Sequence, residues 1–198
     1  MESKSSYGPK VGEALKLAAD AFHDRVRKGS GVPYLTHLLS VATLVMEHGG
    51  DEDQIVAAVL HDYLEDIPGA EQAELERRFG ARVARLVLAL SDATDADNKE
   101  AWRPRKERYL AHLRAAPAEV KLVSAADKLH NARSIEADHR RVGEAVFDRF
   151  TGGREGTLWY YRAVVAALSV DFEHPLVEEV GRAVASLHAA AGASLEPT

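Results

Sequence analysis

Apolar residues recur at intervals of three and four along most of this chain, and nowhere do they settle into the every-second-residue alternation of a half-buried strand. Ala14, Leu15, Leu17, Ala18, Ala21, Phe22 and Val26 keep the helical period over about four turns. GSGVPY breaks that pattern, Thr36 is a suitable N-cap for HLLSVATLVMEH, and Gly49 and Gly50 stop this second helix. Asp51 can cap a third, running without interruption through DQIVAAVLHDYLE to a stop before Pro68. AELERRF, closed by Gly80, and ARVARLVLAL give two more segments. Helical spacing returns at 104–115 and, after Pro117, in AEVKLVSAADKLHNARSIEA; its short apolar run Val120–Val123 sits among good helix formers and reads as helix too. TGGREGT (151–157) reads as a break before LWYYRAVVAALSV, and Pro175 opens a final helix. The stretch 91–102 is too polar for a core and reads as a loop or lid. The expected fold is all-α: one multi-helix bundle over 1–198, with its core in 10–172 and a C-terminal helix at 175–192.

A chain of 198 residues has the size of one domain with a sizeable core. It has no cysteine, which removes disulfides, thiolate nucleophiles and cysteine-ligated zinc together. A net charge of −6 opposes binding to nucleic acid, which needs a surplus of Lys and Arg, but leaves room for a small polyanion met by local cations. Such cations cluster in RVRK (25–28) and WRPRKER (102–108). No apolar run reaches a membrane-spanning length and no signal-peptide core is present, so a cytoplasmic protein without a membrane partner is expected.

The stretch LHDYLEDI (60–67) sets a histidine and three carboxylates beside an apolar run. On a continuous helix His61, Asp62, Glu65 and Asp66 share an arc of roughly 140°. His37 stands in the first turn of its helix, just before an apolar run. Asp127 lies in an otherwise apolar helix, with Asn131 and Ser134 on its face at i+4 and i+7. A carboxylate buried there needs an ion pair, Lys128 being the adjacent cation, or a metal. Two imidazoles and two carboxylates form a mixed nitrogen and oxygen ligand set, suited to Mn²⁺, Fe²⁺ or Zn²⁺ rather than Ca²⁺. Four protein ligands on a six-coordinate ion leave positions for water or substrate.

The order His37 … His61-Asp62 … Asp127 resembles the ligand signature of the HD-domain metal-dependent phosphohydrolases. RKGSGVPYLTH (27–37), HDYLEDI (61–67), FGARVARLV (79–87) and ADKLHNARSI (126–135) are similar to the hydrolase domain of RelA/SpoT-type proteins, which removes the 3′-pyrophosphate of guanosine tetra- and pentaphosphate. The resemblance covers about 10–172 and extends to WRPRKERYLAHL and GTLWYYRAVVAAL, as in the stand-alone small hydrolases. It implies a bundle of the HD-domain type in which His37, His61, Asp62 and Asp127 bind Mn²⁺. It also implies that Glu65 and Asp66 are the catalytic carboxylates, that Arg27 and Lys28 flank the guanine base, and that Asn131 contacts substrate. Ser134 stands where threonine is usual, keeping the hydroxyl near the substrate, and Arg25 replaces a common glutamine.

Metal coordination lowers the pKa of water toward neutrality, and two neighbouring carboxylates tend to split their pKa values into one acid and one base. The substrate's phosphates require cations, for which Arg27, Lys28, Lys99, Arg103, Arg105 and Lys106 are the candidates, with 91–106 expected to close over them. Trp159, Tyr160 and Tyr161 are expected in the core. Other phosphoesters stay open at this point: the 2′-phosphate of NADPH, adenosine analogues of the tetraphosphate, or a nucleoside mono- or triphosphate. An alarmone-binding protein without turnover stays open as well.

Overall fold

A computed structural model of the protein describes residues 7–92 and 101–193. Among these residues there is no β-strand, in line with the all-α expectation. They fall into two compact units, the first drawn from residues 1–25 and 33–94, the second from 26–32 and 95–198.

The first unit holds α1 (Pro9–Ala21), α2 (Leu35–Glu47), α3 (Glu52–Leu60), α4 (Tyr63–Asp66), α5 (Gln72–Phe79) and α6 (Ala81–Leu90). Its centre is α3. Asp51 starts that helix as its sequence context predicts: its side chain accepts from the Gln54 amide while the Gln54 side chain accepts from the Asp51 amide, a reciprocal capping box. Every residue from Gln54 to Leu60 is buried, and α1, α2 and α6 pack around them. An apolar helix without a polar face must be enclosed in this way. Burying a side chain such as Leu60 contributes about 1.5–3 kcal/mol.

Three details depart from the expected course. Helix α1 stops at Ala21, so Val26 lies outside it and is 55% exposed. Tyr34, not Thr36, precedes α2; the Thr36 hydroxyl donates to the Pro33 carbonyl from within the first turn. The expected single helix through HDYLE is broken at Asp62, whose backbone leaves the helical region at φ −94°, ψ 1°. The cause is local. The His61 ring bonds the Ala58 carbonyl through Nδ1 at 2.8 Å, and the next turn starts afresh on the Asp62 carbonyl, which accepts from the Asp66 amide. Glu65 and Asp66 therefore stand on a separate short turn, and the shared arc read from a continuous helix does not apply.

The second unit holds the loop 26–32, α7 (Trp102–Ala115), α8 (Ala118–Val142), a 3₁₀ segment (Gly143–Arg149), α9 (Gly153–Leu168) and α10 (Pro175–Ala190). Helix α8 runs 25 residues and packs against α10, α9 and the 3₁₀ segment, while α7 lies on α9. Gly143 ends α8 at φ 62°, a conformation that favours glycine. Lys121 is 2% exposed and its ammonium donates to the Arg114 and Val170 carbonyls, satisfying acceptors near the ends of α7 and α9. The break expected at 151–157 is shorter than that: it ends at Gly152, and 153–157 already form the first turn of α9. A Cβ at Gly152 would lie 2.6 Å from the Trp102 ring, and one at Gly156 3.0 Å from it. The two glycines thus leave room for the indole of α7, which meets the Trp159 and Tyr160 rings of α9 edge-on.

Candidate metal centre

Within the first unit α2 and the end of α3 bring His37, His61 and Asp62 together. The two histidines are buried, at 1% and 3% exposure. His37 Nε2 lies 3.2 Å from His61 Nε2, His61 Nε2 lies 3.1 Å from Asp62 Oδ2, and His37 Nε2 lies 3.6 Å from the same oxygen. The tautomer of His61 follows from its other nitrogen. A carbonyl only accepts, so Nδ1 carries the proton toward Ala58 and Nε2 presents its lone pair to the group. Three lone-pair-bearing atoms that face one another at such distances repel unless a proton or a cation sits among them. Ligands roughly 2.1 Å from one ion, set roughly 90–110° apart, are themselves about 3.0–3.4 Å apart. The spacing of this group and its chemistry fit a divalent ion.

Tyr34 supports it. Its hydroxyl donates to Asp62 Oδ2 at 2.6 Å, its ring stacks on Phe22 at 5.2 Å, and it meets the His37 ring edge-on at 5.7 Å. The residue is thereby fixed on both sides while it fixes the carboxylate. It was missed in the sequence because a tyrosine before a helix carries no local sign of a partner 28 positions away. Glu65, on α4, accepts from the Asp92 backbone amide at 3.1 Å. Asp66 follows it, and its backbone carbonyl accepts from the Arg25 guanidinium at 3.0 Å, which ties α4 to the end of the α1 connection.

The second unit carries the remaining expected residues. Asp127 is 7% exposed; one carboxylate oxygen accepts from Lys128 at 2.5 Å and the other from Asn131 at 2.5 Å. The ion pair with Lys128 is thus present. Burial alone pulls an ammonium pKa down; here the Asp127 carboxylate outweighs it and holds Lys128 well above the ordinary lysine range, so it stays charged. Asn131 also accepts from the Arg27 guanidinium at 2.6 Å, giving a continuous chain Arg27–Asn131–Asp127 that fixes the amide's orientation. Ser134 spends its proton on the His130 carbonyl of its own helix. Lys28 is exposed on the 26–32 loop.

On α7, the Arg103 guanidinium lies 3.3 Å over the Trp159 ring and pairs with Glu107, and the Lys106 ammonium lies 5.0 Å from the Tyr160 ring centre. Tyr160 and Tyr161 are core residues, 7% and 6% exposed. Lys99, and residues 93–100 of the expected lid, lie outside the described residues.

A family model of the HD domain matches residues 14–158. The chain is 32% identical over 168 residues to the GTP pyrophosphokinase rsh of Brucella ovis, covering 79% of this chain and 22% of that one. It is 34% identical over 134 residues to the guanosine-3′,5′-bis(diphosphate) 3′-pyrophosphohydrolase of Haemophilus influenzae, covering 63% and 19%. The chain thus spans about a fifth of the length of these curated relatives. Among solved structures it is similar to a metazoan ortholog of SpoT, described as hydrolysing ppGpp and playing a role in starvation responses. That likeness has a TM-score of 0.75 at 25% identity and covers 90% of this chain and 96% of the other.

Proposed function

Since the chain belongs to the HD-domain family, we propose that it is a metal-dependent hydrolase of guanosine tetra- and pentaphosphate, releasing pyrophosphate from the ribose 3′ position and leaving GDP or GTP. The observation that carries this reading is the convergence of two buried imidazoles and a carboxylate at ligand spacing in the first unit. The similarity to relatives named for the same reaction supports the choice of substrate. The HD domain implies a divalent metal; the nitrogen and oxygen donors suit Mn²⁺, Fe²⁺ or Zn²⁺, and among these Mn²⁺ is the choice that the resemblance to RelA/SpoT-type hydrolases supports. Asp127 is the fourth ligand of this reading, supported by the motif order and by a carboxylate buried in an otherwise apolar stretch of α8. The family model runs through residues of both units, so we read 1–198 as one functional domain. Among the described residues no helix is long and apolar enough to cross a membrane. That is compatible with a cytoplasmic enzyme whose partner is a nucleotide rather than nucleic acid or lipid.

When bound, the ion supplies activation of water at neutral pH and polarisation of a phosphoryl oxygen. The chain's own residues do the rest. Glu65 and Asp66 divide proton removal from the attacking water and proton delivery to the departing ribose oxygen. In the balanced reaction the water oxygen bonds to the phosphorus on the ribose 3′ oxygen, that P–O bond breaks, and the ribose oxygen leaves as a hydroxyl. Arg27 and Lys28 flank the base, Asn131 and Ser134 line the substrate, and Arg103 and Lys106 offset phosphate charge.

Incubation with guanosine tetraphosphate and Mn²⁺ is expected to yield GDP and pyrophosphate, and a chelator is expected to stop it. No pyrophosphate from this substrate, with orthophosphate released from NADPH instead, would replace the assignment. Tyr34→Phe is expected to weaken Mn²⁺ binding by about 10- to 100-fold, because Asp62 loses the hydroxyl that orients it. Calorimetric titration of the two proteins checks this; equal affinities would remove Tyr34 from the centre.

A further inference from the structure

We propose that Arg149, held by Asp138, is the positioning residue for the loop that carries Arg27 and Lys28, and so for the base end of the substrate; this rests on the nucleotide reading above. Arg149 closes the 3₁₀ segment after α8, 120 positions beyond Gly29 in the chain. Gly29 is at φ +73°, and a Cβ there would come within 2.3 Å of Arg149 Nε. The end of the arginine therefore lies directly on the loop backbone, where a Cβ would have to displace it. Its Nη1 donates to Asp138 Oδ2 at 2.6 Å, and the two side chains are 17% and 21% exposed, which shelters the pair from screening.

Asp138 lies two turns beyond Asn131, on the same face of α8. The loop is thus fastened to that helix at two points. Arg27 bonds Asn131 at one, and Gly29 lies against Arg149, itself paired with Asp138, at the other, with Lys28 between them in the chain. Inside the loop the Arg27 amide donates to the Val32 carbonyl and the Ser30 amide to the Arg27 carbonyl. A loop with two glycines at positive φ, Gly29 and Gly31, carries high conformational entropy when released. Fastening it beforehand removes that ordering cost from substrate binding. The guanidinium suits the task because it is flat enough to lie on a glycine while forking toward a carboxylate, which an ammonium is not.

Arg149 takes no part in the proton transfers proposed above, so the consequence falls on binding. Arg149→Ala is expected to raise KM for guanosine tetraphosphate with Mn²⁺ by about tenfold while kcat stays within about twofold, with Arg149→Lys in between. Hydrogen exchange of the peptide spanning 26–32 is expected to speed up in Arg149→Ala while peptides of α10 stay as protected as in the wild type. Unchanged KM and unchanged exchange would overturn the proposal. So would a loss confined to kcat, or α10 exchanging as fast as the loop, which marks a merely structural role. Should Arg149→Ala fail to fold, Asp138→Asn, which removes only the charge of the pair, is judged by the same criteria. Should the wild type not turn over guanosine tetraphosphate, the substrate reading fails, while the exchange contrast between 26–32 and α10 still decides whether Arg149 holds the loop.

Discussion

Replacement of His61 by alanine is expected to lower Mn²⁺-dependent hydrolysis of guanosine tetraphosphate by on the order of a thousandfold, since a metal centre contributes several kcal/mol to the transition state. The expectation comes from the geometry around one atom. His61 Nε2 stands 3.1–3.2 Å from both Asp62 Oδ2 and His37 Nε2, so it is the member of the group nearest to each of the others. The same side chain also sets the break between α3 and α4 through its bond to Ala58, so alanine removes a ligand and the feature that turns Asp62 out of the helix. Asp62→Asn separates these effects. It leaves His61 and its bond intact and removes only the carboxylate's charge. Mn²⁺ affinity by calorimetry, kcat/KM, and helix content by circular dichroism are the measurements. A folded His61→Ala protein with wild-type turnover would end the metal reading.

Much of the fold was readable because it rests on short-range signals. Asp51 and Gln54 cap α3 from three residues apart, Gly49 follows the end of α2 at φ 79°, and Pro175 opens α10. The misreadings share a cause, which is that a residue's role was decided by a distant partner. Gly156 looks like part of a break, yet it lies in the first turn of α9 beside the Trp102 ring. The course through His61 looks helical until its own ring takes the Ala58 carbonyl. At the candidate site, His37, His61 and Asp62 stood out because residue types able to bind metal contrast with an apolar background, and the fold brings the three side chains together. Tyr34 and Arg149 were not: the first is known only by a bond to Asp62 and the second by its contact with Gly29, both long-range facts. Lys128 was legible as an ion-pair partner, and its pairing with Asp127 is what lets a carboxylate sit 7% exposed on α8.

Glu65→Gln is expected to reduce kcat by on the order of 10²- to 10⁴-fold, the range for losing a positioned acid or base, while Mn²⁺ affinity stays at its wild-type value. Glutamine keeps an oxygen able to accept from the Asp92 amide, so that contact of the side chain is preserved while its charge and its ability to take up a proton are lost. The pH profile then assigns the roles. If Glu65 is the base, the wild-type rate climbs as pH rises through its pKa, and Glu65→Gln lacks that acidic limb. If it is the acid, the limb lost is the alkaline one. Asp66→Asn is expected to remove the opposite limb, because one group takes up the proton of the attacking water and the other supplies the proton of the leaving oxygen. A Glu65→Gln enzyme with full kcat would take Glu65 out of the reaction and leave Asp66 to act alone. Loss of Mn²⁺ binding in the same variant would instead move Glu65 into the ligand set with His37, His61 and Asp62. Turnover and metal titration on one protein therefore distinguish a group that moves protons from a group that holds the ion.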